Sequence, residues 1–183
     1  RDIEGMSYTE TAQYFVDTFR TLNRTVEQVM EEWREMTIRL YATEVFPKPG
    51  ALEFLKEMKS RGIALGIATS NDRTIADAAL NARGLSAYFD SVRTSCEVSA
   101  GKPAPDVYLK VAGDLGVSPS SCLVFEDIPN GILAGKNAGM EVCAVDDEFS
   151  RPLEQEKKKL ADYFIRDFND IFRHTYERCS DET

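Results

Sequence analysis

The chain has 183 residues with a net charge of −9; 43% of the residues are hydrophobic and 29% are charged. A chain of this length and balance can bury the core of one globular domain with a small insertion. The acidic charge disfavours nucleic acid as a partner, because a phosphate backbone needs a basic surface. No apolar run is long enough to span a bilayer and no secretory signal pattern opens the chain, so we expect no membrane partner.

The four cysteines favour a reducing environment. None of them belongs to a CxxC pair, which argues against a zinc site. Cys122 and Cys143 lie beside strand-like runs, and we interpret both as small buried hydrophobic residues. We therefore expect a cytoplasmic location, where free thiols persist.

The first 46 residues have only helical periodicity. Thr25 is a predicted N-cap with Gln28 three residues later, the pattern of a capping box. The prolines of "FPKPG" predict a stiff connection to the rest of the chain. We predict a partial helical domain over residues 1–46. Its apolar stripes are Ala12, Phe15, Val16 and Phe19, then Val26, Val29, Met30, Trp33, Thr37, Leu40 and Tyr41.

After this connection the pattern alternates between helix and strand. Repeated βα units predict an α/β fold with a doubly wound parallel sheet over residues 47–175. The basic run at residues 157–159 is interpreted as a solvated helix face, and residues 176–183 as a polar tail. The predicted strands contain "GIALGIATS", "FDSVRTS", "SCLVFED", "MEVCAV" and "ADYFIRD"; the predicted helices contain "RTIADAALNARG", "PDVYLKVAGDLG" and "GILAGKNAG".

Polar side chains follow the first buried strand, where parallel sheets bind their ligands. Thr69, Ser70 and Asn71 stand where this strand turns into a helix. Their hydroxyl and amide groups, with the free N–H groups of the helix start, predict a phosphate-binding turn. The alternative is that Ser70, Asn71 or Asp72 only caps the helix.

A lysine and two acids complete the same edge of the predicted sheet. Lys102 lies in "GKPAPD", a loop that can aim its ammonium group inward, unless it is an ordinary solvated lysine. Glu126 and Asp127 end a buried strand and are the hard oxygen ligands that suit Mg²⁺. The alternative for the acids is helix capping by Asp127 or Asn130, although two uncompensated acids beside a buried strand are costly.

The order of these segments resembles the core of haloacid dehalogenase superfamily hydrolases, in the branch of phosphatases and β-phosphoglucomutases. "GIATSN" is similar to the family's second motif, "GKPAPD" to its third and "LVFEDIPNGILAGKNAGM" to its fourth. The resemblance covers residues 47–170, and the preceding helices resemble the family's α-helical cap. It implies that Thr69, Lys102 and Asp127 belong to the catalytic site. Thr69 and Lys102 would then bind phosphate, and Asp127 with Glu126 would bind Mg²⁺.

The family's first motif, a strand ending in a DxD pair, has no match in these residues. Its first Asp is the nucleophile that forms an aspartyl-phosphate, and its second is the general acid and base. "AVDDEFS" follows the third strand and lacks the pattern. The missing strand would lie between the strands ending at Ala68 and Phe125. We therefore expect a longer natural chain whose N-terminus supplies the nucleophile and the first cap helix, and we expect these residues alone to be inactive.

We expect the substrate to be a small phosphorylated metabolite and the protein to be a monomer. Gly5 and Ser7 match a substrate-facing loop of the cap. Tyr8 stands where the sugar-phosphate mutases of this branch carry an arginine for a second phosphate. This favours a Mg²⁺-dependent phosphomonoester hydrolase over a mutase, unless Tyr8 only packs beneath the cap. A non-catalytic phosphate-binding module is the third hypothesis, which the sequence before Arg1 would separate from the two enzymes.

Overall fold

Helices and strands alternate along most of the chain after a purely helical beginning, which confirms the α/β class. The structure, a computed structural model, describes residue 3 and residues 6–179. No helix within these residues has both the length and the apolar character needed to cross a bilayer. The elements in chain order are α1 (Tyr8–Thr18), α2 (Val26–Thr43), α3 (Ala51–Ser60), β1 (Gly66–Thr69), α4 (Arg73–Ala82), β2 (Ser91–Thr94), α5 (Asp106–Leu115), β3 (Leu123–Glu126), α6 (Pro129–Asn137), β4 (Glu141–Val145), α7 (Glu154–Leu160), β5 (Tyr163–Ile165), α8 (Asn169–Arg173) and β6 (Glu177–Arg178).

Helices α1 and α2 pack against each other, and each begins with a capping box. The side-chain oxygens of Ser7 and Thr25 each accept a hydrogen bond from the backbone N–H three residues later, which confirms the predicted N-cap at Thr25. The rings of Phe15 and Trp33 meet edge-on across the pair, with centroids 5.0 Å apart. These contacts build the predicted helical unit, whereas the domain boundary at residue 46 stays a prediction.

The strands form two sheets instead of one continuous sheet. Strand β1 pairs in parallel with β2, while β3, β4 and β5 pair in parallel and β6 adds antiparallel to β5. Within the described residues β1 and β3 do not pair, and this is the position that we expected for a missing strand. The carboxyl ends of β1 and β3 still converge, because the Lys102 ammonium donates both to the backbone oxygen of Ala68 at 3.2 Å and to the Glu126 carboxylate.

Helix α6 lies close to the second sheet because it carries glycine where the sheet comes near. A Cβ at Gly135 would lie 2.7 Å from Cγ2 of Val142 on β4. Ile132 and Ala134 of the same helix are fully buried against this sheet. The tight packing fixes the start of α6 directly behind the end of β3, where the two adjacent acids stand.

The last strand corrects the predicted polar tail over residues 176–183. Strand β6 pairs with β5, and the N–H of Cys179 donates to the backbone oxygen of Asp162 at 2.9 Å. Charged side chains are compatible with an exposed edge strand, so polarity alone did not reveal it. Residues 180–183 lie outside the described part of the chain.

Candidate active site

One pocket collects most of the residues predicted for the site. It has a volume of about 370 Å³ and lies at the carboxyl ends of β1 and β3. A larger cavity of about 420 Å³ is lined only by residues between 16 and 28 and contains none of the predicted residues. The smaller pocket is therefore the candidate active site. The predicted residues that line it are Thr69, Ser70, Lys102, Glu126 and Asp127.

The turn between β1 and α4 presents hydroxyl groups to this pocket. The N–H of Asn71 donates to Oγ1 of Thr69 at 3.1 Å, which holds the turn closed. Asp72, and not Ser70 or Asn71, caps α4, because its carboxylate accepts the N–H two residues later at 2.8 Å. Asn71 is not among the lining residues and contacts a tyrosine hydroxyl of α2 at 3.5 Å. Thr69 and Ser70 thus remain the candidate anion ligands at this helix start.

Lys102 and Glu126 form a buried ion pair that a tyrosine completes. Their side chains are only 6% and 9% exposed, which does not fit the alternative of a solvated surface lysine. The hydroxyl of Tyr108 on α5 donates to Oε1 of Glu126, the same oxygen that accepts from Lys102. Burial, and next the charge of Glu126, raises the pKa of Tyr108 well above its usual value, so the hydroxyl stays a donor. The absence of a side chain at Gly131 of α6 makes room for the Glu126 carboxylate, because a Cβ there would overlap it.

Asp127 stands in surroundings that favour a nearby cation. Burial raises the pKa of its carboxyl group above the usual value, and the charges of Glu126 and Asp147 raise it further. The ammonium of Lys48 opposes these effects without cancelling them. An ionised carboxylate that is buried beside other acids is stabilised when a positive ion accompanies it.

The donor set suits Mg²⁺ through one well-placed carboxylate. Within residue 3 and residues 6–179, no three His, Cys, Asp or Glu side chains are grouped to hold a metal ion. Glu126 turns Oε1 to its lysine and tyrosine partners and Oε2 to the N–H of Asp127 at 3.2 Å. Helix α6 has no side-chain cap, so the capping alternative for Asp127 is not observed. Mg²⁺ typically binds one or two carboxylates together with water and phosphate oxygens, and Asp127 fits that pattern.

Sequence reasoning missed three residues of the site, namely Lys48, Tyr108 and Asp147. The Lys48 ammonium lines the pocket and donates to Oδ2 of Asp147 at 2.8 Å and to the backbone oxygen of Asp146 at 2.9 Å. It therefore ties the connection before α3 to the loop after β4. Asp147 could have been found, because "DDEFS" follows a strand as the other site residues do. Lys48 precedes every strand and carries no such signal.

Ser7 and Tyr8, the two predicted cap residues that the structure describes, do not line the pocket. Ser7 caps α1, and Tyr8 is buried within the helical pair, where its hydroxyl donates to the backbone oxygen of Met30 at 2.9 Å. Its ring meets Trp33 edge-on with centroids 6.2 Å apart. Tyr8 therefore packs as the alternative interpretation expected, because a large ring is stabilised by burial against another ring. Gly5 lies outside the described residues.

Comparisons with known proteins place the chain among hydrolases. The sequence model of the haloacid dehalogenase-like hydrolases matches residues 4–139. Validoxylamine A 7'-phosphate phosphatase of Streptomyces hygroscopicus is 42% identical over 122 residues, which are 67% of this chain and 55% of that protein. Phosphorylated carbohydrates phosphatase of Thermotoga maritima is 35% identical over 116 residues, which are 63% of this chain and 54% of that protein. The chain thus spans about half the length of these relatives.

A solved structure shares the fold. CbbY from Rhodobacter sphaeroides, determined in complex with phosphate, superposes with a TM-score of 0.78 at 22% identity, covering 91% of this chain and 75% of that chain. At this sequence identity the similarity shows only that the two proteins share a fold. The family itself is shown by the sequence model, which matches most of the chain. The chain belongs to the haloacid dehalogenase-like hydrolase family, as the order of its motifs implied.

Proposed function

We propose that the intact protein is a Mg²⁺-dependent phosphatase that hydrolyses a phosphomonoester of a small metabolite. The observation that carries the proposal is the meeting of Thr69, Lys102 and Asp127 in one pocket, although they come from three separate segments. Two relatives are named as phosphatases, and one of them as a phosphatase of phosphorylated carbohydrates. Phosphorylated carbohydrates are therefore the first substrates to test.

The residues of the pocket divide between phosphate binding and metal binding. The hydroxyls of Thr69 and Ser70 would donate to phosphoryl oxygens at the start of α4, where the helix N-terminus favours negative charge. The Lys102 ammonium, held by Glu126, would face the same anion. Asp127 would hold Mg²⁺, which when bound supplies neutralisation and orientation of a phosphoryl oxygen.

The nucleophile in this proposal is an aspartate outside the 183 residues, carried by a strand between β1 and β3. What supports its position is the gap between the two sheets, which borders the pocket. Its carboxylate oxygen would bond to phosphorus while the bond to the leaving oxygen breaks, and a general acid would protonate that oxygen. Water would then hydrolyse the aspartyl-phosphate, releasing inorganic phosphate and restoring the carboxylate.

The test is phosphate release by the full-length natural chain. p-Nitrophenyl phosphate and a panel of sugar phosphates are assayed with Mg²⁺ and with EDTA, and mutase activity on β-glucose 1-phosphate is followed in parallel. We expect hydrolysis that needs Mg²⁺. Turnover that EDTA does not affect would contradict the metal role, and tight phosphate binding without turnover would favour a non-catalytic binding module. Mutase activity needs this direct assay because Tyr8 packs away from the pocket, so its identity does not argue against a mutase.

Gly131→Ala should reduce this activity by about tenfold, as loss of an outer hydrogen-bonding partner does. The new Cβ would occupy the space of the Glu126 carboxylate and displace it from Lys102. The measurement is kcat/KM for p-nitrophenyl phosphate. Gly113→Ala is the matched control on α5, because a Cβ at Gly113 meets no atom within 4 Å. That control should keep full activity and gain about 0.5–1 kcal/mol of stability; equal activity in both variants would refute the role of Gly131.

The cytoplasmic location and the monomeric state remain predictions. None of the four cysteines, all of them described, forms a disulfide bond; Cys143 is buried as the sequence suggested, whereas Cys122 is only partly buried. Burial raises the pKa of its thiol to about 12, so it is inert as a thiolate. Fluorescence microscopy of the full-length protein and its elution in size-exclusion chromatography would test the two predictions.

A further inference from the structure

Lys157 on α7 is a fully buried lysine that the proposed chemistry does not use. We interpreted residues 157–159 as one solvated helix face, and this is wrong for Lys157, whose exposed fraction is 0%. Lys158 instead forms ion pairs with Glu154 and Glu177, while Lys159 is exposed. A buried ammonium group is costly unless its surroundings compensate it, so its partners indicate what the position requires.

The Lys157 ammonium starts a chain of hydrogen bonds that ends at Asp127. Its Nζ donates to the backbone oxygen of Val145 at 3.0 Å and to Oγ of Ser150 at 2.9 Å. The Ser150 hydroxyl donates to the backbone oxygen of Asp127 at 2.6 Å. The direction of the chain is fixed, because an ammonium group only donates and the hydroxyl has one proton to give. Ser150 is 2% exposed, so solvent does not compete for these bonds.

Opposing electrostatic effects act on the pKa of Lys157, which lies below its usual value. Burial lowers the pKa of Lys157, while the charges of Asp146, Asp127 and Asp147 act against that effect. Lys48 lowers the pKa of Lys157 as well. Asp146 and Asp147 lie in the loop after β4, and the Lys157 side chain joins this loop to β4 through its bonds to Ser150 and Val145.

We propose that Lys157 is a positioning residue that acts through the Ser150 hydroxyl on the backbone carbonyl of Asp127. This rests on the proposed function, in which the Asp127 carboxylate binds Mg²⁺. Asp127 stands between the end of β3 and the start of α6, so a hydrogen bond to its carbonyl restrains the backbone that carries its side chain. The hydrogen bond from Ser150 prevents that peptide unit from rotating, and the bond from Lys157 holds Ser150 in place.

The experiment compares Ser150→Ala, Lys157→Met and their double variant in the full-length chain. Lys159→Met is the matched control, because it removes an exposed ammonium from the same helix. Binding of Mg²⁺ is measured by titration calorimetry, and the KM for p-nitrophenyl phosphate is measured at saturating Mg²⁺. Hydrogen exchange of the amides of residue 128 and residues 130–132 is measured by mass spectrometry without metal, and thermal unfolding shows whether each variant is folded.

We expect Ser150→Ala and Lys157→Met each to weaken Mg²⁺ binding about tenfold, as loss of an outer partner of a metal ligand does. Charge alone predicts the opposite for Lys157→Met, since removing an ammonium near a dication strengthens its binding. Exchange of the amides of residue 128 and residues 130–132 should become faster in both variants. The double variant should bind Mg²⁺ with the same affinity as the single variant that binds it less tightly. The reason is that the effects of two substitutions in one chain of hydrogen bonds do not add. KM should not change, and Lys159→Met should match the parent.

Several results would overturn the proposal. One is a folded Ser150→Ala variant that binds Mg²⁺ like the parent. Another is a lower unfolding temperature with unchanged Mg²⁺ affinity, which would mean that the side chains only stabilise the fold. Losses that multiply in the double variant would show that the two side chains act independently. A parent protein that binds no Mg²⁺ contradicts the proposed function instead, and the metal-free exchange measurement then decides on Lys157 by itself.

Discussion

Replacing Asp127 with Asn should lower Mg²⁺-dependent phosphate release by the intact protein about a thousandfold. The amide keeps the shape of the carboxyl group but loses the charge that binds the metal ion. The free energy of unfolding should not fall at neutral pH. Burial raises the pKa of Asp127, and an acid with a raised pKa destabilises the fold when it is ionised. Steady-state kinetics and chemical denaturation at pH 7 measure the two effects.

The control for this variant is Asp77→Asn on α4. Asp77 forms an exposed ion pair with Arg73, which contributes little to stability and has no part in the pocket. Asp77→Asn should therefore retain the activity and the metal response of the parent. An Asp127→Asn variant with near-normal turnover at saturating Mg²⁺ would remove Asp127 from the metal site.

Lys102→Met should weaken phosphate binding and lower kcat/KM by about a hundredfold. In the proposed function, the variant lacks the ammonium group that donates a hydrogen bond to the phosphoryl oxygens. It should also destabilise the protein by about 3 kcal/mol. The reason is that the substitution would leave the Glu126 carboxyl group, which is 9% exposed, without its ion-pair partner. Inhibition by inorganic phosphate measures the binding, and urea denaturation measures the stability.

A second substitution separates these two effects. Lys102→Met combined with Glu126→Gln removes the unpaired buried charge, while the amide oxygen can still accept from the Tyr108 hydroxyl. The pair of changes should recover most of the lost stability but none of the lost activity. Lys110→Met, on the exposed side of α5, is the surface control. Recovery of activity in the combined variant would mean that Lys102 only stabilises the fold.

Most of the predicted site residues that line the pocket share one property, which is their place at the end of a strand or directly after it. Thr69, Glu126 and Asp127 stand there, and parallel strands bring their carboxyl ends to one edge whatever the details of packing. Lys102 was found through its motif and not through its place in the sheet. The two interpretations of Tyr8 stayed open, because a matched position in a motif does not show whether its ring turns to the pocket or to Trp33, where the structure places it.

Short-range patterns were sufficient for the order of most helices and strands, although not for α8 and β6. The capping box at Thr25 involves atoms only three residues apart, so its sequence predicts its geometry. Lys48, Tyr108 and Lys157 became functional candidates only through folding. Their partners lie 98, 18 and 12 residues away for the bonds to Asp146, Glu126 and Val145. A lysine in a polar helix has the same local pattern whether it meets water or a buried carbonyl, and only the packing of distant segments determines which of the two it meets.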